Sequence, residues 1–328
     1  MRHLEEEGSA AVWAHESVLQ EGGALITLRG NVMKKLLLVI MTVSLLAAIV
    51  RAEDARPLFE RQDDVVYHQA HGVALVADIF SPSKSSNGHA IVVVASGAWS
   101  SDRGKIRDLN RSGLFEELCL RGFQVFAIRP GSISRFSAHD MKAHVEAGIR
   151  WVKGQADDYA IDPEKLGLFG ASAGGHLASL VAVTNPPTDP QVDASVSAVG
   201  VFFPPTDFLD FGGQALDPRK GGRLNQILMG LAFRDDRGEL TDREVMEKAT
   251  AISPARLVSR QAPPVLVIHG DADPLVPLQQ SQRLVAALNE AGAQGTLIVK
   301  EGGAHPWPTV REEVAVMATW FEDTLQGR

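Results

Sequence analysis

Two periods of hydrophobic and polar positions alternate along the chain after residue 57. Residues 73–80 switch between apolar and polar and stop at Ser81-Pro82, as a half-buried strand does. Residues 91–95 form an unbroken apolar run rich in valine, suited to a strand covered on both faces. Further strands are expected at 124–128, 166–169, 196–203, 265–269 and 296–300. Helical spacing fills the gaps between them. Residues 114–121 form a helix closing at Gly122, and Met141, Val145, Ile149 and Val152 recur on one helix face. Helices are also expected at 175–183 and 278–291. A last helix carries Val314, Met317, Phe321 and Leu325, and Thr309 with Glu312 reads as a capping box before it.

Strand-helix-strand repetition of this kind predicts an α/β fold: a mostly parallel central sheet with helices on both faces. Residues 57–328 are expected to form a single domain. Residues 208–250 break the rhythm, mixing Gly, Asp and Arg around a short apolar helix at 224–231, and are expected to form a small cap insertion over the carboxyl ends of the strands. In such sheets the chemistry sits on loops at those ends.

The start of the chain reads differently. Met33-Lys34-Lys35 precedes an uncharged apolar run at 36–50, followed by Val50-Arg51-Ala52. A basic start, a short apolar stretch and a small residue describe a secretory signal at 33–52; the run is shorter than the roughly 20 residues a spanning helix needs. A secreted or periplasmic protein is therefore expected, without stable membrane insertion after cleavage. Residues 1–32 lie upstream of that signal and are expected to be a mis-assigned extension, with translation starting at Met33.

Composition changes this picture little. The chain has 328 residues, 45% of them hydrophobic and 22% charged, so it can bury a large core and is not disordered. The formal net charge of -8 and the lack of a basic run with interleaved aromatics speak against a nucleic-acid partner. Cys119, the single cysteine, cannot form an internal disulfide and is expected to be a buried apolar residue.

The chemistry is carried by Gly170-Ala171-Ser172-Ala173-Gly174-Gly175. This G-x-S-x-G pattern follows an expected strand and opens an expected helix, the context of a nucleophile elbow. The serine must sit on a sharp turn, so the residues two away must be small, and its hydroxyl meets the positive end of a helix. A serine hydroxyl needs a base, and the chain order for this arrangement is Ser, then Asp or Glu, then His. Two carboxylates compete in His269-Gly270-Asp271-Ala272-Asp273. Asp273 lies further into the loop and is preferred, whereas Asp271 is expected to hold the turn through its own backbone. His305 lies in the loop before the final helix and is the expected base. His176 and His269 are expected to be structural. For an oxyanion hole, the Ala173 N–H and an N–H from Gly97 or Ala98 in Ser96-Gly97-Ala98-Trp99 are the candidates. Trp99, Phe203 and Trp307 are candidate walls of the substrate pocket.

Taken together, Gly170 to His176, His269 to Asp273 with Val276-Pro277, and Gly303-Ala304-His305 resemble the α/β-hydrolase esterases of the carboxylesterase, hormone-sensitive-lipase and feruloyl- and acetyl-xylan-esterase-like branches, over roughly residues 64–326. The resemblance implies a Ser172-His305-Asp273 triad, no metal and no organic cofactor. It also implies a carboxylic-ester hydrolase that acts on small-molecule or carbohydrate esters, short-chain or carbohydrate-linked. Two departures stand out. Ala95-Ser96-Gly97-Ala98-Trp99 replaces a His-Gly-Gly-Gly-Trp-like segment, and Arg129-Pro130-Gly131 replaces a tyrosine-containing turn. The rival expectations are a serine peptidase of the same fold and a catalytically inactive binding protein.

Overall fold

A computed structural model describes residues 57–185 and 194–327, together with Lys35 and Met41. The expected extension at 1–32 and signal at 33–52 lie outside the described residues, those two positions apart. A compact unit begins at Leu58 and holds every element named below. Among the described residues no helix is long and apolar enough to cross a membrane.

Eight strands form one sheet: β1 (Phe59–Ala70), β2 (Val73–Pro82), β3 (Ala90–Val94), β4 (Gln124–Ile128), β5 (Leu166–Ala171), β6 (Ala198–Phe202), β7 (Val265–Gly270) and β8 (Gly295–Lys300). Their order is β1-β2-β4-β3-β5-β6-β7-β8. β2 pairs antiparallel with both β1 and β4, and every pairing from β4 to β8 is parallel. This is the expected α/β architecture.

The period of two explains the sheet's two faces. Ala90, Val92 and Val94 of β3 point into one apolar cluster, and Ile91 and Val93 into the other. The first cluster is closed by α3 (Ala138–Gly154), α5 (Ala173–Thr184) and α8 (Gln279–Glu290). The second is closed by α1 (Arg103–Arg111), α2 (Leu114–Leu120) and α9 (Val310–Gln326). α4 (Ala156–Tyr159) is a single turn after α3. The central strands β3, β4, β6 and β7 are buried throughout, which accounts for their largely apolar sequences, with Gln124 and His269 the buried polar exceptions.

The stretch expected as an insertion holds α6 (Arg223–Ala232) and α7 (Asp242–Ala251). α7 starts at a capping box, Thr241 with Glu244, and α3 at another, Ser137 with Asp140. The box expected at Thr309 does not form. Thr309 has φ -95° and ψ 19°, its side chain caps nothing, and Glu312 meets Lys300 at 3.4 Å instead. A serine or threonine caps a helix from extended backbone, which Ser137 and Thr241 adopt and Thr309 does not.

Candidate active site

Four parallel strands end on one rim of the sheet, and the expected chemistry-bearing residues follow them. Ser172 comes after β5, Phe203 after β6, Asp273 after β7 and His305 after β8. Ser172 has φ 54° and ψ -120°, a left-handed backbone that a residue with a Cβ rarely adopts. Its N–H donates to the Phe202 carbonyl at 2.9 Å, tying the turn to the neighbouring strand. The small flanking residues are needed sterically. A Cβ on Gly170 would stand 2.2 Å from the Gly174 carbonyl oxygen, and one on Gly174 would stand 2.4 Å from that of Val94.

The structure brings Ser172, His305 and Asp273 together. His305 Nδ1–H donates to Asp273 Oδ2 at 2.6 Å, and Nε2 accepts from Ser172 Oγ–H at 2.9 Å. A carboxylate only accepts, so its bond to Nδ1 leaves the Nε2 lone pair for the hydroxyl. Asp273 is itself held. Its Oδ1 accepts from the N–H groups of Leu275 and Val276 at 2.8 and 3.0 Å, and His269 Nε2 lies 3.3 Å from Oδ2. Burial pushes its carboxyl up, but hydrogen bonds from His269, His305 and the two N–H groups outweigh burial and hold it well below the usual carboxylate range.

His269 is the residue whose place at the site the sequence reading missed. It is buried and structural, as expected, with Nδ1 accepting from Ser281 Oγ at 2.6 Å and Nε2–H reaching the Val276 carbonyl at 2.9 Å. It also braces the carboxylate, and its position four residues before Asp273 was the available signal. Asp271 does not bond its own turn. Its Oδ1 accepts from the Gly302 N–H at 2.7 Å, across to the loop that carries His305.

The loop after β3 resolves the choice between Gly97 and Ala98. Gly97 and Ser100 exchange both backbone hydrogen bonds at 3.0 Å, so the Gly97 N–H is already committed. Ala98 and Trp99 between them have φ 48° and 53°. Among the described residues no acceptor meets the Ala98 N–H, and the Ala173 N–H, first in α5, has no intrahelical acceptor.

Gly97, Ala98, Trp99, Ser172, Phe203 and His305 line a cavity of about 600 Å³. One wall comes from α1, α9 and β5, through Leu109, Val310, Val314 and Phe169; the opposite wall comes from Phe208, Phe211 and the helix α6. The expected insertion therefore contributes to the cavity. Trp307 does not line it. Its indole N–H donates to Glu313 at 2.7 Å, and its buried ring stands edge-on to Phe203 with centroids 5.9 Å apart. Cys119 lies buried elsewhere, and burial pushes its thiol up to about 12, so it stays protonated.

The sequence profile of the BD-FAE family matches residues 77–288. The chain belongs to the BD-FAE family. By fold it is an α/β-hydrolase, as its resemblance to the esterase branches implied. Esterase LipQ of Mycobacterium tuberculosis is 31% identical over 49% of the chain and 37% of its own length. From the same organism, the protein named "Probable carboxylic ester hydrolase LipM" is 29% identical over 72% of the chain and 53% of its own length. The chain thus spans about half, or less, of these curated relatives. A truncated form of a carbohydrate esterase from gut microbiota superposes with a TM-score of 0.70 at 26% identity, covering 83% of this chain and 99% of that one.

Proposed function

We propose that this BD-FAE family member is a serine carboxylic-ester hydrolase that works through an acyl-enzyme. The observation that carries the reading is the continuous hydrogen-bonded relay from Ser172 Oγ through the His305 imidazole to Asp273. His305 Nε2 takes the hydroxyl proton as Oγ bonds to the ester carbonyl carbon. The carbonyl oxygen becomes an oxyanion, met by the N–H groups of Ala98 and Ala173. When the carbon–oxygen ester bond breaks, His305 returns the proton to the leaving alcohol. A water then gives its proton to His305, attacks the acyl carbon and releases the acid, and Ser172 recovers its proton. Asp273 keeps the imidazole in the correct tautomer and stabilises it when charged.

The mostly apolar cavity suits the acyl group of an ester, short-chain ones included, and likeness to a carbohydrate esterase supports a carbohydrate-linked alcohol. The basic start and apolar run at 33–50 support export, which N-terminal sequencing of the native product would test. The decisive experiment is hydrolysis of short acyl aryl esters and acetylated xylan by wild type and Ser172→Ala, with labelling by a serine-reactive phosphonate. Loss of both turnover and label in the variant supports the reading; full activity without Ser172 overturns it.

A further inference from the structure

His176 is fully buried, lies four residues after Ser172, and has no part in the relay. Both its ring nitrogens are engaged. The Trp99 indole N–H donates to Nδ1 at 2.9 Å, and Nε2 meets the Ile252 carbonyl at 2.8 Å. A carbonyl only accepts, so Nε2 carries the proton and Nδ1 offers a lone pair, the one tautomer that can receive an indole N–H. Burial pushes the imidazole down to about 4, so it is neutral at ordinary pH.

Trp99 follows Ala98, and both hold left-handed backbone conformations that side-chain-bearing residues avoid. Such a turn persists only when its surroundings hold it. The Trp99 carbonyl accepts from the Ile133 N–H at 2.7 Å, and its ring stands edge-on to His176 and packs near Phe208. Ala98 itself is exposed, with little to fix it except its neighbours. The geometry points to His176 as a positioning residue for the oxyanion loop: through the Trp99 indole it keeps the Ala98 N–H aimed at the reacting carbonyl. The Ile252 carbonyl, just after α7, sets the tautomer that makes this possible, so the segment over the site and the oxyanion loop are joined through one imidazole. The inference rests on the reading of Ser172 as nucleophile and Ala98 as oxyanion donor.

The test compares Trp99→Phe, His176→Leu, the double variant and His176→Asn on a short acyl aryl ester, with Ser172→Ala alongside. Each folded single variant is expected to lose about 10- to 100-fold in kcat, the scale of a misplaced reacting group, with KM within about twofold. The double variant should lose no more than the worse single one, because both remove the same link. His176→Asn keeps an acceptor for the indole and should recover most of the rate. Affinity for a trifluoromethyl ketone, which forms the oxyanion adduct, should fall in step with kcat/KM. Unchanged kcat, a change in KM alone, additive losses, or a loss that follows melting temperature without rescue by Asn would each overturn the proposal. Activity surviving in Ser172→Ala would instead overturn the reading of the site.

Discussion

The ring of Phe203 lies against the His305 imidazole, with centroids 4.2 Å apart and planes inclined at 52°. Phe203 reaches this place with φ 38°, a conformation rare for a bulky residue, at the turn where β6 ends. Its N–H is tied to the Ile268 carbonyl at 2.9 Å. The strained aromatic residue thus covers the imidazole proposed to carry the proton. An aromatic face attracts a cation by about 0.5–2 kcal/mol. Phe203→Leu is therefore expected to lower kcat about 3- to 30-fold while the protein stays folded, as steady-state kinetics with circular dichroism would show.

The two aspartates of the β7 loop should separate cleanly. Asp273→Asn removes the charge that fixes the His305 tautomer, and kcat should fall about 10⁴-fold. Asp271→Ala loses only the brace to Gly302 and should cost about 1 kcal/mol of stability with little change in rate. Comparable losses of activity in the two variants would contradict the assignment.

Glycine replacements offer a steric test. A methyl at Gly170 or Gly174 meets backbone oxygen within 2.4 Å, which the elbow cannot yield without moving a strand. Gly170→Ala and Gly174→Ala should each destabilise by more than about 3 kcal/mol or fail to yield folded protein. At Gly154, the end of α3, an added Cβ meets nothing within 4 Å. Gly154→Ala should leave urea midpoints unchanged or raise stability by up to about 1 kcal/mol.

His176 also links stability to pH. Desolvation depresses its pKa to about 4, whereas an unfolded histidine titrates near about 6.5. The unfolded chain thus binds the extra proton first. The stabilising contribution is complete above about pH 6.5 and is lost as pH falls toward about 4, for a total of roughly 3 kcal/mol. Urea denaturation of wild type and His176→Asn at several pH values in this window should show a steeper decline for wild type.

How far the sequence reveals all this varies with burial. The central strand β3 is covered on both faces, so its residues are apolar throughout and easily read. The helix α1 hides because Ile106 is its one buried side chain, and the edge strand β1 hides because Tyr67 is its one fully buried residue. The order of Ser172, Asp273 and His305 was legible because loops at strand ends must converge. The Thr309 box was misread because a motif records residue types but not backbone angles. Trp307 was misread because nothing in its spacing tells a cavity wall from the layer behind it.

One consequence follows from the way the last two strands meet. The Asp271 N–H bonds the Lys300 carbonyl at 3.1 Å, the Ala272 N–H bonds that of Gly303 at 3.0 Å, and a Cβ on Gly270 would touch Gly303 at 2.1 Å. The loops that carry Asp273 and His305 are therefore tied together at the ends of two parallel neighbours, β7 and the edge strand β8, while Ser172 follows β5 nearer the middle of the sheet. Fraying of β8 would loosen the loop of His305 and remove the backbone ties that it makes to the loop of Asp273. Local opening at β8 is then expected to disturb the proposed His305–Asp273 pair while Ser172 stays in place after β5.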